Sequence, residues 1–196
     1  MKASETKRKS KKVILDKKYT AFAKEVLTWY KKRGRHDLPW RTSINPYKIL
    51  VSEIMLQQTQ VARVVPKYEL WMKRYPTLKK LSQANLKDIL VLWQGLGYQR
   101  RAKALLAIAT KVTALPTDTK ELLALPGIGE YTASALQAFA YNSFSPMLET
   151  NIRTALIETF HPKKKNIDDT LLKKDLINLM EVTQVKKAGA RIWYWA

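Results

Sequence analysis

The 196 residues include no cysteine and only two histidines, His36 and His161, far apart in the chain. The first absence excludes disulfides, thiolate catalysis and any cysteine-ligated cluster built from this chain, and it fits a reducing compartment. The second removes the basis for a histidine metal centre, so both histidines read as surface or internally satisfied polar groups. No apolar run approaches a membrane span, and the N-terminus lacks the apolar segment of a secretion signal. A soluble cytoplasmic protein with no membrane partner is therefore expected. No segment sustains an apolar alternation of period two, which argues against strands and for an all-α chain.

Acidic residues are also scarce. Sixteen Asp and Glu face 36 Lys and Arg, giving a net charge of +20 and a pI near 10.1. Such a surplus repels itself in the folded state and favours a polyanionic partner, with nucleic acid first and an anionic membrane surface second. Hydrophobic residues at 46% are enough for a sizeable core. Residues 1–18 form a basic, low-complexity segment expected to be a flexible arm, fit for a solvated tail or a non-specific phosphate contact.

From about Tyr19 the apolar spacing is helical. Phe22, Val26 and Tyr30 lie four apart, and Gly34 closes that helix. Asn45 before Pro46 predicts a helix start running to about Thr59. Further helices are predicted over 61–75, 86–93, 98–113, 119–124, 130–141, 150–160 and 168–183, with GARIWYWA opening another.

Two features carry chemistry. In NPYKILVSEIMLQQTQV, Glu53 falls on the helical face of Ile49, Leu50 and Leu56. A carboxylate on an apolar stripe is costly to desolvate, so it holds a job or a partner. Burial raises its pKa, and a carboxyl protonated near neutrality can give a proton to a departing group. LPGIGEYTASAL is a glycine turn opening a helix. Gly127 and Gly129 are expected to adopt backbone angles closed to other residues, and the amides that follow form an anion site suited to one DNA phosphate.

The same LPGIGEYTASAL string resembles the helix-hairpin-helix of the endonuclease III superfamily. LPWR (38–41), SEIMLQQTQV (52–61) and WQGLGYQRRAKAL (93–105) resemble its adenine branch, the MutY-type adenine DNA glycosylases; the likeness covers about residues 19–160. It implies a two-lobed, all-α helix-hairpin-helix glycosylase fold with a cleft between the lobes. One lobe would span 45–141, the other 19–44 with 142–196, and Glu53 would face Glu149 across the cleft. By this resemblance Glu53 is the acid that protonates the leaving purine. Glu149, in LETNIR, stands where the family has an aspartate that stabilises the cationic sugar, and Asn151 matches the asparagine of that pattern. Trp40 and Arg41 match neighbours of the adenine. Gln58 and Tyr98 match residues that wedge into the duplex, and Gln57 is a further wedge candidate. Arg100, with Arg101 and Lys103, is expected on the DNA backbone, and the hairpin is expected to take a monovalent cation.

Tyr131 stands where strand-cleaving relatives carry a lysine. A Schiff base needs an amine, so the expected enzyme is monofunctional. The expected substrate is a duplex with adenine opposite 8-oxoguanine or guanine, the expected form a monomer, and the expected location the nucleoid. The departures are specific: glutamate replaces aspartate at 149, Thr150 replaces a glycine, and the four cysteines that hold a 4Fe–4S cluster in the family do not occur. Two alternatives remain: a glycosylase for another mispair such as thymine opposite guanine, and a non-catalytic DNA-binding module.

Overall fold

The computed structural model describes residues 2–164 and 166–196, with side chains from residue 16 onward. The side chains of the basic arm through residue 15, and Lys165 of the Lys163–Lys165 run, lie outside the described residues. In chain order the helices are α1 (Lys2–Arg33), a 3-10 helix (Pro39–Thr42), α2 (Pro46–Leu56), α3 (Val61–Arg74), α4 (Leu78–Ser82), α5 (Leu86–Trp93), α6 (Arg100–Lys111), α7 (Thr119–Leu123), α8 (Glu130–Phe139), α9 (Thr150–Phe160), α10 (Asp169–Met180) and α11 (Thr183–Trp195). No strand occurs among the described residues; the fold is all-α. The backbone of α1 is helical from Lys2, through the stretch predicted as a flexible arm. That stretch holds Ala, Glu, Lys and Arg, with neither Gly nor Pro to interrupt a helix. Helix α2 ends three residues before the predicted Thr59, and the five-residue α4 was too short for periodicity to reveal.

The chain divides into two compact units, His36–Tyr141 and Met1–Arg35 with Asn142–Ala196. Residues 36–44, predicted to go with the first helix, belong instead to the central unit. The reason is Trp40, which is 5% exposed and packs edge-on against Tyr68 with centroids 5.3 Å apart.

In the central unit α2 is enclosed by α3, α6, α8 and the 3-10 helix. Trp71 and Trp93 meet at 5.5 Å, and the Trp71 indole donates to the Tyr47 hydroxyl (3.1 Å), which donates to the Tyr75 carbonyl (2.7 Å). Each fully buried side chain of this size contributes roughly 1.5–3 kcal/mol. Ala133, Ala135 and Ala138 of α8 are fully buried, so small side chains let its backbone lie close to its neighbours.

The other unit packs α1 against α10 and α11 around Leu172, Leu176, Leu179 and Val185. Its buried Asp175 accepts hydrogen bonds from the Tyr19 hydroxyl (2.5 Å) and pairs with His161 Nε2 (2.6 Å). His161 is thus a satisfied polar residue. Helix α11 kinks at Gly189, at φ 81° and ψ 163°, a region open to glycine alone. The Asn142 side chain fills the space a Cβ would need there, with Oδ1 at 2.8 Å, and that oxygen accepts the Arg191 N–H (3.0 Å).

Candidate active site

Helix α2 begins where local chemistry dictates. Asn45 Oδ1 accepts the N–H groups of Tyr47 (3.0 Å) and Lys48 (3.3 Å), and Pro46 supplies a preset φ at the first helical position. The helix is not striped as its sequence suggested: every residue from Ile49 to Met55 is buried, so Glu53 is enclosed rather than set on one apolar face. It is 6% exposed. Its Oε2 accepts a hydrogen bond from the Tyr131 hydroxyl of α8 at 3.2 Å. Burial pushes the Glu53 carboxyl up to about 7; the Tyr131 hydrogen bond and the positive charge of Arg41 pull against that rise. Near neutrality the group therefore divides between acid and anion, as a proton donor must. The Tyr131–Glu53 contact, 78 residues apart, had no local signal; Tyr131 stood out in the sequence only as a position without an amine.

The base-pocket candidates separate. The Trp40 ring is core, edge-on to Tyr68, whereas Arg41 is half-buried and acts on Glu53 through its charge. Tyr68 is itself buried, and its hydroxyl has no hydrogen-bond partner among the described residues.

The wedge candidates sit in two loops, after α2 and after α5. Gln57 is half-buried and reaches α8, its Nε2 donating to Thr132 Oγ1 (3.4 Å). Gln58 is exposed with φ 54°, and Tyr98 is 54% exposed with φ 45°. A non-glycine residue in this left-handed region costs on the order of 1–3 kcal/mol and persists where its surroundings over-determine it. Arg100 is exposed, its guanidinium 5.6 Å from the Tyr98 ring. Arg101 departs from expectation. It is 6% exposed and turned inward onto main-chain carbonyls, so it is no ligand for a DNA backbone.

The hairpin joins α7 to α8. Leu125 and Ile128 anchor it in the core, and Gly127 turns the chain at φ 75°, where a Cβ would meet Ala104 at 2.7 Å. Gly129 corrects the expectation. Its φ of −99° and ψ of −179° suit any residue, and a Cβ there would meet open space. What Gly129 provides is room beside the first-turn amides of α8, where a phosphate oxygen can approach.

In the other unit, Glu149 caps α9. It is half-buried, and its Oε1 accepts the Ile152 N–H at 3.0 Å, while Asn151 is exposed in the first turn. One carboxylate oxygen thus serves the N-terminus of α9. Among the described residues no three or more His, Asp or Glu side chains gather as a metal site would need, and the chain has no cysteine to ligate an iron–sulfur cluster.

A family description, the HhH-GPD superfamily of base excision DNA repair proteins, matches residues 51–180. The chain is 40% identical to the adenine DNA glycosylase of Buchnera aphidicola subsp. Baizongia pistaciae over 82% of its own length and 46% of the relative's. It is 43% identical to that of Mycolicibacterium smegmatis over 70% and 48%, and 39% identical to that of Rattus norvegicus over 68% and 28%. It thus spans about half the length of the bacterial relatives it matches. Among solved structures it is similar to a thermostable thymine-DNA glycosylase (TM-score 0.76, 23% identity, 90% of this chain and 84% of that one). It is also similar to endonuclease III in a non-covalent DNA complex (TM-score 0.72, 16% identity, 92% and 85%). At such identities these two likenesses concern the fold alone.

Proposed function

Since the chain belongs to the HhH-GPD superfamily of base excision DNA repair proteins, we propose that it is a monofunctional DNA glycosylase. In this reading it removes an adenine mispaired with 8-oxoguanine or guanine. The observation that carries the proposal is Glu53: enclosed, with a pKa near 7, and bonded by the Tyr131 hydroxyl.

A purine leaves its sugar readily only as a neutral base, so a proton must reach the ring as the N-glycosidic bond stretches. Glu53 gives that proton. The Tyr131 hydroxyl donates to Oε2, which steadies the carboxyl and the anion left after transfer. The sugar that remains is cationic in character, and a carboxylate stabilises it or forms a transient adduct before water attacks. Glu149 takes that role on the strength of its place in LETNIR, with Asn151 beside it. The target base must leave the stack, at a cost of a few kcal/mol, and Gln58 and Tyr98 fill the gap, with Gln57 tying the first of their loops to α8. Hairpin amides after Gly127 and Gly129 hold a phosphate, and exposed Arg100 adds charge for the backbone.

A monovalent cation at the hairpin would use main-chain oxygens of 125–129. The Leu125 carbonyl, bonded to the Ile128 N–H at a long 3.3 Å, keeps a lone pair to offer. Such an ion supplies charge to the phosphate contact. The working form is a monomer on duplex DNA in the nucleoid.

The test is single-turnover incubation with duplexes carrying each mispair, followed by hot alkali to reveal abasic sites. Adenine opposite 8-oxoguanine should react fastest, and the strand should stay intact without alkali. Release of thymine opposite guanine instead would move the chain to another specificity. A borohydride-trapped covalent adduct would overturn the monofunctional assignment, and release of no base would leave a binding module.

A further inference from the structure

The Arg101 side chain does more than fill the core. One terminal nitrogen, Nη1, donates to the carbonyls of Ile54 (2.9 Å), Met55 (3.2 Å) and Gln57, the acceptors left open where α2 ends. The other, Nη2, donates to the carbonyls of Leu96 (2.6 Å) and Gly97 (3.3 Å) and to Thr59 Oγ1 (3.2 Å). Thr59 in turn donates between the same loops, to Gln57 and Leu96. The guanidinium carbon lies 5.6 Å from the Trp93 ring and 5.4 Å from the Tyr98 ring.

A buried cation is expensive, and among the described residues this one has no carboxylate partner; its charge is spent on two stretches of main chain. Among the described residues those stretches hold the unit's two non-glycine residues in the left-handed region, Gln58 and Tyr98, both exposed. Strained positions need an agent that over-determines them, and a planar fork bonding both loops at once is such an agent. A lysine ammonium, a point charge without the fork, cannot span both sets of carbonyls.

We propose that Arg101 is a positioning residue that joins the loops after α2 and α5 into one brace, so that Gln58 and Tyr98 enter a duplex as a single rigid wedge. The proposal rests on the glycosylase reading for its purpose, though not for the existence of the brace.

The experiment compares the full chain with Arg101→Lys and Thr59→Val. Amide hydrogen exchange of the free protein reports residues 57–60 and 94–99. Fluorescence of 2-aminopurine in place of the mispaired adenine reports unstacking. Affinity for a fully paired duplex and single-turnover excision complete the set. In Arg101→Lys both loops should exchange faster in step, by about tenfold. The fluorescence rise should shrink and excision slow by about a hundredfold, while affinity for paired duplex stays within about threefold. Thr59→Val should shift each readout in the same sense by less, and it carries the measurement should Arg101→Lys not fold. Loops that keep their protection in both variants, or one loop loosening without the other, overturn the brace. An unchanged fluorescence rise with loosened loops overturns the wedge. If the unsubstituted chain neither unstacks nor excises any base, the glycosylase reading fails, and the exchange data still decide whether the brace exists.

Discussion

Among the described residues each compact unit buries one carboxylate to nearly the same depth, Glu53 at 6% exposed and Asp175 at 4%. Their surroundings differ. Asp175 accepts the Tyr19 hydroxyl at 2.5 Å and pairs with His161 at 2.6 Å, and Asn178 in turn donates to Tyr19 (3.2 Å). Burial and Asp175 together hold the Tyr19 hydroxyl above its usual pKa, so it stays a donor. Glu53 receives a longer bond from Tyr131, and burial dominates its protonation. Equal depth thus gives a carboxylate tied into a side-chain network in one place and a proton store in the other. The number and closeness of the hydrogen-bond partners set the two carboxylates apart. Glu149 is a third case, half-exposed and held by a helix N-terminus.

The largest effect should come from Glu53→Gln, which removes the proton while keeping the shape. Single-turnover excision is expected to fall by about a thousandfold or more. Stability should move the other way. With a folded pKa near 7 against a usual value of 4.5, the folded state holds the proton more tightly. The stability it confers is complete below about 4.5 and lost as pH rises toward 7. Glu53→Gln should therefore raise the melting temperature at pH 8 and change it little at pH 4.5, as calorimetry at the two values would show. Equal shifts at both would refute this account.

Glu149→Gln comes next, with an expected loss of about a hundredfold in the same single-turnover assay. Glu149→Asp should be faster than the parent, because a shorter carboxylate is the better helix cap and returns the charge by about 1 Å. An unchanged rate in Glu149→Gln would remove the residue from the chemistry.

For Asp175→Asn the prediction concerns folding. Loss of one of the two carboxylate oxygens that meet Tyr19 and His161 should destabilise the protein by about 1–3 kcal/mol, read from urea midpoints, with excision per folded molecule preserved. The smallest effect belongs to Tyr131→Phe. Its hydrogen bond lowers the Glu53 pKa, so its removal should push that pKa higher. Excision needs the protonated acid, so the alkaline limb of the rate profile, near pH 7 in the parent, should move to higher pH.

Features written in neighbouring residues were legible in the sequence. Asn45–Pro46 opens α2 through its own amide contacts, and Gly127 turns the hairpin. Glu53 was conspicuous because charge among Ile49, Leu50 and Leu56 has no local excuse. What was not legible depends on residues brought together from afar. Tyr19 meets Asp175 across 156 positions, and Tyr131 meets Glu53 across 78. Arg101 looked like one more basic residue in a run, and no spacing rule distinguishes it from Arg100, its exposed neighbour. The left-handed backbone at Gln58 and Tyr98 was equally silent, since neither residue type favours it.

The kink of α11 carries a consequence for heredity. Any side chain at position 189 would collide with the amide of Asn142 and force the backbone into angles that L-residues shun. Loss of that amide would remove the bond it accepts from the Arg191 N–H where the helix restarts. Position 189 is therefore held to glycine in any descendant whatever stands at 142, whereas drift at 142 is opposed only by the bond it gives the restarting helix.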